Sequence, residues 1–508
     1  MQKTIQKDFS NQFVINSKEG VVLKMNNLKK NIAYNVVYQI LLIILPLITA
    51  PYVSRILGVV GIGTYSYIYS IAYYFGLFGM LGISNHGSRS VALNKNDKNQ
   101  VSKVFSNLYI IQFVTSLISM TIYLIFVVFF FEGNKQIAMI DLLFVLSYVL
   151  DINWFFFGME QFKITVTRNI IIKISTVVLT FLFVKSSSDL WLYTFILASG
   201  ALINQLYLWL KIKKFVFFIK PDIKTIKSNI KPMFILFIPV IAYSIYKVMD
   251  KIMLGSMTTV MQVGLYENAE KIVSMPLGLI TAFGTVMLPR ISSLLSTNDL
   301  NQATFYNKIS TKYFSILVFG CVFGLVGVSD ILSPVYFGED FRACAPLIKG
   351  LSFSLIFITW ANIIRTQYLI PTKNDKPYVV SSIIGAGINL IFNFIFIPKL
   401  GAVGALIGTL LAEFSVFAIQ LLCVKNQFPM IKYLKNSWIY MLMGIAMCFI
   451  VRLIGNSMDE NIVSLASQVI VGMLFYGLGC VLLLIIQRDQ LVIGYVKKIS
   501  NKIKVLSK

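Results

Sequence analysis

The chain has 508 residues, of which 57% are hydrophobic and 13% are charged, and its mean hydropathy is +0.77. Soluble domains carry about a quarter charged residues, so this composition indicates a membrane protein. The net charge of +24 does not indicate nucleic-acid binding, because such proteins concentrate Lys and Arg on a soluble face. The five cysteines lie far apart without CxxC spacing, which favours structural roles over metal binding or a disulfide framework.

The predicted membrane spans begin after a polar segment. Residues 1–30 precede the first apolar run and no small-residue cleavage site follows it, so we predict a cytoplasmic extension and not a removable signal peptide. A span needs about 20 mostly apolar residues. Six such spans form a predicted N-terminal lobe over residues 31–210: 31–53, 61–84, 105–131, 137–157, 169–185 and 190–210.

The second half of the chain repeats this arrangement and then extends it. A basic linker, residues 211–232, leads to a predicted C-terminal lobe over residues 233–424. Its six spans lie at 233–255, 263–288, 313–335, 346–370, 377–398 and 402–424. Two more, at 436–455 and 463–486, occupy residues 425–487, and a basic cytoplasmic tail follows at 488–508. The prediction is an all-α polytopic protein of about fourteen transmembrane helices, with loops too short for a catalytic domain.

The distribution of basic residues predicts the orientation of these spans. Segments that would face one side of the membrane hold 33 Lys and Arg residues, whereas the opposite loops hold five. Cytoplasmic loops are enriched in Lys and Arg, so both termini are predicted to be cytoplasmic in a bacterial plasma membrane. No cofactor and no nucleic-acid partner are expected.

Three matches between the halves indicate an internal repeat. Residues 63–65 (Gly-Thr-Tyr) and 264–266 (Gly-Leu-Tyr) are each followed 24 residues later by an arginine, Arg89 or Arg290. A third match joins residues 96–100 to 298–302. The offsets of 201, 201 and 202 residues predict duplication of a six-span unit. Because six is even, the lobes would be related by a pseudo-two-fold axis along the membrane normal.

Two segments carry a resemblance to a known family. Residues 46–65 (PLITAPYVSRILGVVGIGTY) and especially 151–173 (DINWFFFGMEQFKITVTRNIIIK) resemble the polysaccharide transporter family of O-antigen and capsular repeat-unit flippases. That family belongs to the multidrug/oligosaccharidyl-lipid/polysaccharide flippase superfamily. The resemblance implies transfer of undecaprenyl-pyrophosphate-linked oligosaccharides to the outer leaflet, for capsule, exopolysaccharide or O-antigen synthesis. Polysaccharide polymerase and glycosyltransferases are the partners that it implies.

Charged residues inside spans supply the main site candidates, since such residues usually face a cavity or each other. In span 7, Lys247, Asp250 and Lys251 share one helical face. Span 8 repeats this spacing with Glu267, Glu270 and Lys271. These six charges are expected at a similar depth, either as a self-neutralising network or as the lining of a cavity.

Isolated residues add further candidates. Arg55 ends span 1, Tyr65 and Tyr69 lie on one stripe of span 2, and Arg365 lies in span 10. We predict that these residues, with Lys247, Lys251 and Lys271, bind the pyrophosphate or the sugars. Asp250, Glu267, Glu270 and a lone acid in span 12, Glu413, are candidates for Na⁺ or H⁺ coupling. Snorkelling of the basic side chains and interfacial placement of the tyrosines are the alternatives.

Other functions remain open at this point. The chain has no GxxxxGK[ST] motif, so it has no nucleotide-binding loop to drive transport. A multidrug exporter of the same superfamily is the nearest rival, because a fold does not fix a function. A membrane scaffold for glycosyltransferases and polymerase is a third reading, although buried charges have no evident use in a scaffold.

Overall fold

The computed structural model describes residues 44–297, 299–489 and 492–494. Within these ranges the chain forms helices joined by short turns and contains no β-strand. The predicted extension at 1–30, residues 31–43 of predicted span 1, most of the basic tail and Asn298 of the repeat lie outside the described residues. The predicted all-α class is confirmed.

The first nine helices cover predicted span 1 from residue 44 onward, predicted spans 2 to 6 and most of span 7. In chain order they are α1 (44–80), α2 (Ile83–Asn94), α3 (Lys98–Ile125), α4 (Lys135–Val149), α5 (Asn153–Gly158), α6 (Phe162–Phe183), α7 (Leu190–Ile212), α8 (Ile223–Ser244) and α9 (Asp250–Met257). π-Helical turns continue α3 (Phe126–Phe130) and join α8 to α9 (Ile245–Met249), and a 3₁₀ turn (Ser187–Asp189) precedes α7.

The remaining helices follow the predicted spans closely. They are α10 (Val260–Ser296), α11 (Leu300–Leu332), α12 (Cys344–Ile364), α13 (Lys376–Leu400), α14 (Ala402–Val424), α15 (Met430–Lys435), α16 (Trp438–Asn456) and α17 (Ile462–Ile486). π-Helical turns extend α11 (Ser333–Phe337) and α12 (Arg365–Leu369), and a 3₁₀ turn (Glu339–Phe341) lies between these two helices.

The first helical run contains a break where the sequence predicts a loop. At about 1.5 Å per residue, the 51 residues from Ile44 to Asn94 would reach far beyond the roughly 30 Å hydrocarbon core. Gly58 has a φ of 66°, so the backbone leaves right-handed helical geometry between predicted spans 1 and 2. Leu81 (φ 42°) and Gly82 (φ 73°) end α1.

Twelve helical segments of the described chain are long and apolar enough to cross a membrane. The run from Ile44 to Asn94 counts once among them although it holds two predicted spans, and α10, which holds predicted span 8, is not included. The chain is therefore a multi-pass helical membrane protein, while the total of fourteen spans stays a prediction.

The helices divide into two compact units. The described residues of unit one are 44–49, Ala72–Lys185 and Trp191–Phe237. Unit two contains Ala50–Ile71, Ser186–Leu190 and the described residues from Ile238 onward. Residues 50–71, which the sequence assigned to the N-terminal lobe, thus lie in the same unit as the helices of the C-terminal lobe.

In unit one, a break separates α4 from α5 just before the aromatic motif, residues 154–157 (WFFF), and Gln112 of α3 bonds to both sides of the break. Gln112 Nε2 donates hydrogen bonds to the carbonyl oxygens of Tyr148 (2.9 Å) and Asp151 (2.7 Å). Its Oε1 accepts from Trp154 Nε1 at 2.8 Å. Trp154 is 1% exposed and stacks on Phe105, with ring centroids 5.7 Å apart. Gln112 thus holds the backbone at the end of α4, where the Tyr148 oxygen also accepts from the Asp151 N–H at 3.3 Å.

In unit two, α1 and α10 cross at two glycines. A Cβ on Gly63 would lie 1.7 Å from the Val260 oxygen, and one on Gly264 would lie 2.1 Å from the Val59 oxygen. Only glycine permits this approach of two backbones. Val59 and Gly63 are each 201 residues from Val260 and Gly264, so the contact is reciprocal about the predicted repeat.

Helix starts in the two halves are also equivalent. Asp97 accepts from the backbone N–H groups of Asn99 and Gln100 at the start of α3. Asp299, 202 residues later, accepts from the N–H of Gln302 at the start of α11. A duplicated unit predicts such pairs of N-caps. The pseudo-two-fold relation between complete lobes stays a prediction.

Candidate functional site

Four of the six predicted charges form one ion-pair network in unit two. Lys251 Nζ lies 2.6 Å from Glu267 Oε2 and 3.0 Å from Glu270 Oε2. Lys271 Nζ lies 3.3 Å from Glu267 Oε1. The side chains of Lys251 and Glu267 are 16% and 17% exposed. Of the two arrangements that the sequence left open, these four residues form the self-neutralising network, with two cations and two anions in contact.

Polar residues of α1 complete this network. Ser66 Oγ donates to Glu267 Oε2 at 2.8 Å, across a sequence separation of 201 residues. Next to it, Asn268 Nδ2 donates to Ser54 Oγ at 2.7 Å, and both side chains are buried. The network therefore joins α9 and α10 to residues 50–71, beside the Gly63–Gly264 crossing.

Lys247 forms no ion pair within 4.0 Å with this network and lines a cavity. The cavity has a volume of about 140 Å³ and is bounded by α10, α12, α13, α14 and the end of α8 with its π-turn. Lys247, Arg365 and Glu413 are its charged lining residues. Arg365 Nη2 donates to Asn362 Oδ1 at 3.1 Å, and its guanidinium lies 5.3 Å from the ring centre of Tyr378. Two cations and one carboxylate from distant parts of the sequence thus line the same cavity.

Lys247 and Glu413 have no close counter-ion in the described part of the chain. Neither side chain makes an ion pair within 4.0 Å of any residue that the structure describes. Glu413 is 8% exposed, and Lys247 interacts electrostatically with Glu270 and Glu413. Charge that is buried without a contact partner is costly, so the cavity is suited to an ion or an anionic group.

Asp250 has a different environment from Glu413. It is 3% exposed and accepts from Asn393 Nδ2 (2.6 Å), Tyr266 Oη (2.8 Å) and Thr409 Oγ1 (2.8 Å). Three donors satisfy a carboxylate without a counter-ion. Asn393 Oδ1 is buried and has no hydrogen-bond partner among the described residues. Within the described chain, no three His, Cys, Asp or Glu side chains cluster as metal ligands.

The remaining predicted binding residues also lie in unit two. Arg55 Nη2 donates to the Val335 carbonyl oxygen at 2.5 Å, in the π-turn that ends α11. Tyr65 and Tyr69 stack with ring centroids 5.7 Å apart. The structure thus brings Lys247 together with Arg365, and Lys251 with Lys271, whereas Arg55 binds backbone. Their roles toward a substrate stay predictions.

In unit two, Arg342 links the turn between α11 and α12 to the turn between α16 and α17. Arg342 donates to Glu339 Oε1 at 2.6 Å and binds the carboxylate of Glu460 through both Nη atoms, with 3.0 Å between Nη1 and Oε1. Hydrogen bonds from Arg342 hold the pKa of Glu460 below its usual range. These exposed pairs lie between α11 and α12 and between α16 and α17, away from the cavity.

Sequence reasoning missed two buried charges in unit one. Asp141, in α4, is 1% exposed, and its Oδ2 has no hydrogen-bond partner among the described residues. Arg168, in α6, is 3% exposed and donates to Asn153 Oδ1 and to the backbone carbonyl oxygen of Asn204. Asp141 lies inside predicted span 4, so the rule that selected Glu413, a charged residue inside a span, would also have selected it. Arg168 was counted as a loop residue because its span was predicted to begin at residue 169.

Comparisons with known proteins agree with the fold. The sequence profile of the family described as "Polysaccharide biosynthesis protein" matches residues 28–295. A protein of Escherichia coli (strain K12) whose name describes O-antigen transport is 25% identical over 408 residues, which are 79% of this chain and 97% of that protein. A relative from Shigella dysenteriae with the same description is 24% identical over 384 residues, covering 75% and 96%.

A solved structure matches the fold over most of the chain. The lipid II flippase MurJ, in an inward closed conformation, superposes with a TM-score of 0.71 at 20% identity, covering 91% of this chain and 100% of MurJ. The fold therefore defines a polytopic helical membrane protein of the MurJ type. More specifically, the chain belongs to the family of polysaccharide biosynthesis proteins. The predicted resemblance to a family of polysaccharide transporters is confirmed.

Proposed function

We propose that this chain is a flippase that moves undecaprenyl-pyrophosphate-linked oligosaccharide repeat units from the inner to the outer leaflet of a bacterial plasma membrane. The observation that carries this proposal is the cavity in unit two, which is lined by Lys247, Arg365 and Glu413. It lies in a chain whose family is described as polysaccharide biosynthesis and whose fold is that of the lipid II flippase MurJ. The product would serve capsule, exopolysaccharide or O-antigen synthesis, through alternating access.

The charges of the cavity fit the anionic part of such a substrate. A pyrophosphate diester carries about two negative charges, and such an anion needs compensating cations in a low-dielectric site. Lys247 and Arg365 supply two positive charges, and Glu413 would leave a net charge of +1 in its ionised form. At about 140 Å³ the cavity matches a phosphate group and excludes the oligosaccharide. We therefore assign it to phosphate binding only.

The network of Lys251, Glu267, Glu270 and Lys271 has a different proposed role. Its cations already contact carboxylates, so they are less available to a phosphate than Lys247. Because Ser66 and the Gly63–Gly264 crossing lie next to it, we assign it to closing α1 against α10. Opening at this contact during alternating access would break the Ser66–Glu267 bond.

Coupling to an ion is assigned first to Glu413. Each oxygen of Asp250 already accepts a hydrogen bond, whereas Glu413 lines the cavity beside two cations. A proton on Glu413 would raise the net charge of the cavity from +1 to +2. Binding of the anion and protonation of Glu413 would therefore favour each other, so a proton would accompany the anion in the same direction.

The test is transport by variants that remove one cavity cation at a time. One charge-assisted contact contributes about 1.5–3 kcal/mol, so Lys247→Gln and Arg365→Gln should each slow flipping roughly tenfold to a hundredfold. The matched controls are Lys399→Gln and Arg452→Gln, which change exposed cations outside the cavity. Normal flipping by both cavity variants at equal protein level would overturn the phosphate assignment.

A further inference from the structure

A second and larger cavity lies at one end of unit two. Its volume is about 590 Å³, and it is bounded by the start of α11, the α15–α16 segment and the residues that follow α17. Its charged lining residues are Lys308, Lys312, Arg488 and Asp489. None of them belongs to the Lys247–Arg365 cavity, so this is a separate site.

The charge of this cavity is positive. Lys312 Nζ lies 2.8 Å from Asp489 Oδ2, and the Tyr313 hydroxyl donates to Asp489 Oδ1 at 3.0 Å. The acid is therefore already neutralised. Lys308 and Arg488 are exposed and form no ion pair with any residue that the structure describes. Two unneutralised cations thus converge on one opening, which suits an anion of phosphate type.

The apolar surface next to the cavity continues along a membrane-spanning helix. Trp438 opens α16, is 57% exposed and lines the cavity. Leu442, Ile445 and Phe449 follow it at helical spacing and are 46%, 44% and 66% exposed. Exposed apolar residues on a span face acyl chains, and tryptophan is enriched at the level of the headgroups. A ligand with a phosphate and an attached acyl chain fits both features.

We infer that this cavity binds the phosphate headgroup of an anionic glycerophospholipid, whose acyl chains lie along the exposed face of α16. Lys308 and Arg488 would contact the phosphate, Trp438 would lie beside the glycerol backbone, and Lys312 would remain paired with Asp489. The inference does not depend on the proposed transport function. A free phosphate ester shares the headgroup chemistry but leaves the apolar stripe uncovered.

The experiment measures lipid binding by native mass spectrometry of the purified chain. Phosphatidylglycerol, phosphatidylcholine and soluble glycerol 3-phosphate are titrated against wild type and the double variant Lys308→Gln/Arg488→Gln. The matched control is Lys432→Gln/Lys435→Gln, which removes two exposed cations of α15 that do not line the cavity. Because all four side chains are exposed, both double variants should fold.

We expect one preferred phosphatidylglycerol site in wild type and in the control. Each cation near an anionic lipid contributes about fivefold in affinity, so the cavity variant should bind roughly twentyfold more weakly. Equal loss in the control variant, or no loss in the cavity variant, would overturn the inference. Equal binding of phosphatidylcholine would also overturn it, and glycerol 3-phosphate that competes at equal concentration would assign the site to a soluble phosphate ester instead.

Discussion

Lys251 is the residue on which the buried ion-pair network depends, since it contacts two carboxylates at 2.6 and 3.0 Å. Replacing it with methionine would keep the apolar stem and leave Glu267 and Glu270 short of a cation. Loss of one partner of a fully buried pair costs roughly 3–5 kcal/mol. The 16–17% exposure of this pair should reduce that cost, because water can reach the remaining charges.

The expected result for Lys251→Met is a clearly lower thermal midpoint in detergent, measured by fluorescence-detected size exclusion. Adding Glu267→Gln and Glu270→Gln to this variant should restore part of the loss, since the unpaired carboxylates are then removed. Lys399→Met, at an exposed position, is the control. An unchanged midpoint for Lys251→Met would mean that the network contributes nothing to stability.

Residue spacing predicted part of this site. The i, i+3 and i+4 spacing of charges in spans 7 and 8 correctly placed Lys251 near Glu267. It did not separate Lys247 from the network, because a π-turn at Ile245–Met249 changes the helical register there. Arg365 is distant in sequence, and only the packing of α12 and α14 brings it to the cavity beside Glu413. Long-range pairs of this kind leave no local pattern.

At the scale of elements, the crossing of α1 and α10 depends on two glycines. Gly63→Ala or Gly264→Ala would place a methyl group within about 2 Å of a backbone oxygen, so the helices must separate. Overpacking typically costs about 1–3 kcal/mol. Each variant should therefore have a lower thermal midpoint and reduced transport, measured on the same purified protein.

The matched control for these variants is Gly387→Ala, because nothing lies within 4 Å of a Cβ at that position of α13. Alanine favours a helix by about 1 kcal/mol over glycine, so the control should be neutral or slightly stabilised. If all three alanine variants behave alike, the close crossing is not required for a stable fold.

The break between α4 and α5 supplies a second prediction at this scale. Gln112→Leu would remove the acceptor of Trp154 Nε1 and the donor to two carbonyl oxygens. Each buried polar group left unpaired costs about 1–3 kcal/mol, so folded yield should fall strongly. Gln100→Leu, exposed at the start of the same helix, should leave the yield unchanged. Similar yields for both variants would contradict a structural role for this motif.

Hydropathy predicted the positions of the membrane spans well, but it did not predict the short helix α2 or the break between α4 and α5. The predicted spans at 402–424 and 463–486 agree with α14 and α17 to within a residue, because burial in lipid selects for composition alone. Helix α2 lies in a predicted loop, since the exposed surface of Ile83–Asn94 has little apolar content. The α4–α5 break was predicted as continuous span, because its backbone is satisfied by Gln112 from another helix.

At the scale of the whole molecule, sequence and fold agree on the class of protein. The sequence pointed to the family through two segments, residues 46–65 and 151–173, and 91% of the chain matches the MurJ architecture. The division into units was less accessible to prediction. Residues 50–71 lie with the later helices because of the crossing and the Ser66–Glu267 bond, neither of which alters hydropathy.

The membrane potential sets the expected energetics of transport. Each elementary charge is worth about 2.3 kcal/mol per 100 mV. Outward movement of a dianionic pyrophosphate from a negative interior would gain roughly 4 to 5 kcal/mol per 100 mV, if the cavity returns without carrying charge. Flipping should therefore accelerate with potential. If Glu413 carries a proton together with the anion in each cycle, a pH gradient should also drive flipping at zero potential, and Glu413→Gln should abolish that component only.

The most direct measurement is flipping of an undecaprenyl-pyrophosphate-linked oligosaccharide by the purified chain in proteoliposomes. Accessibility of the sugar to a membrane-impermeant glycosidase is followed with the potential clamped. The account predicts protein-dependent transfer that is faster with the potential favouring anion movement and slower in Lys247→Gln and Arg365→Gln. Absence of transfer by wild-type protein, in vesicles where the same preparation exports a lipophilic drug, would contradict it and identify a multidrug exporter instead.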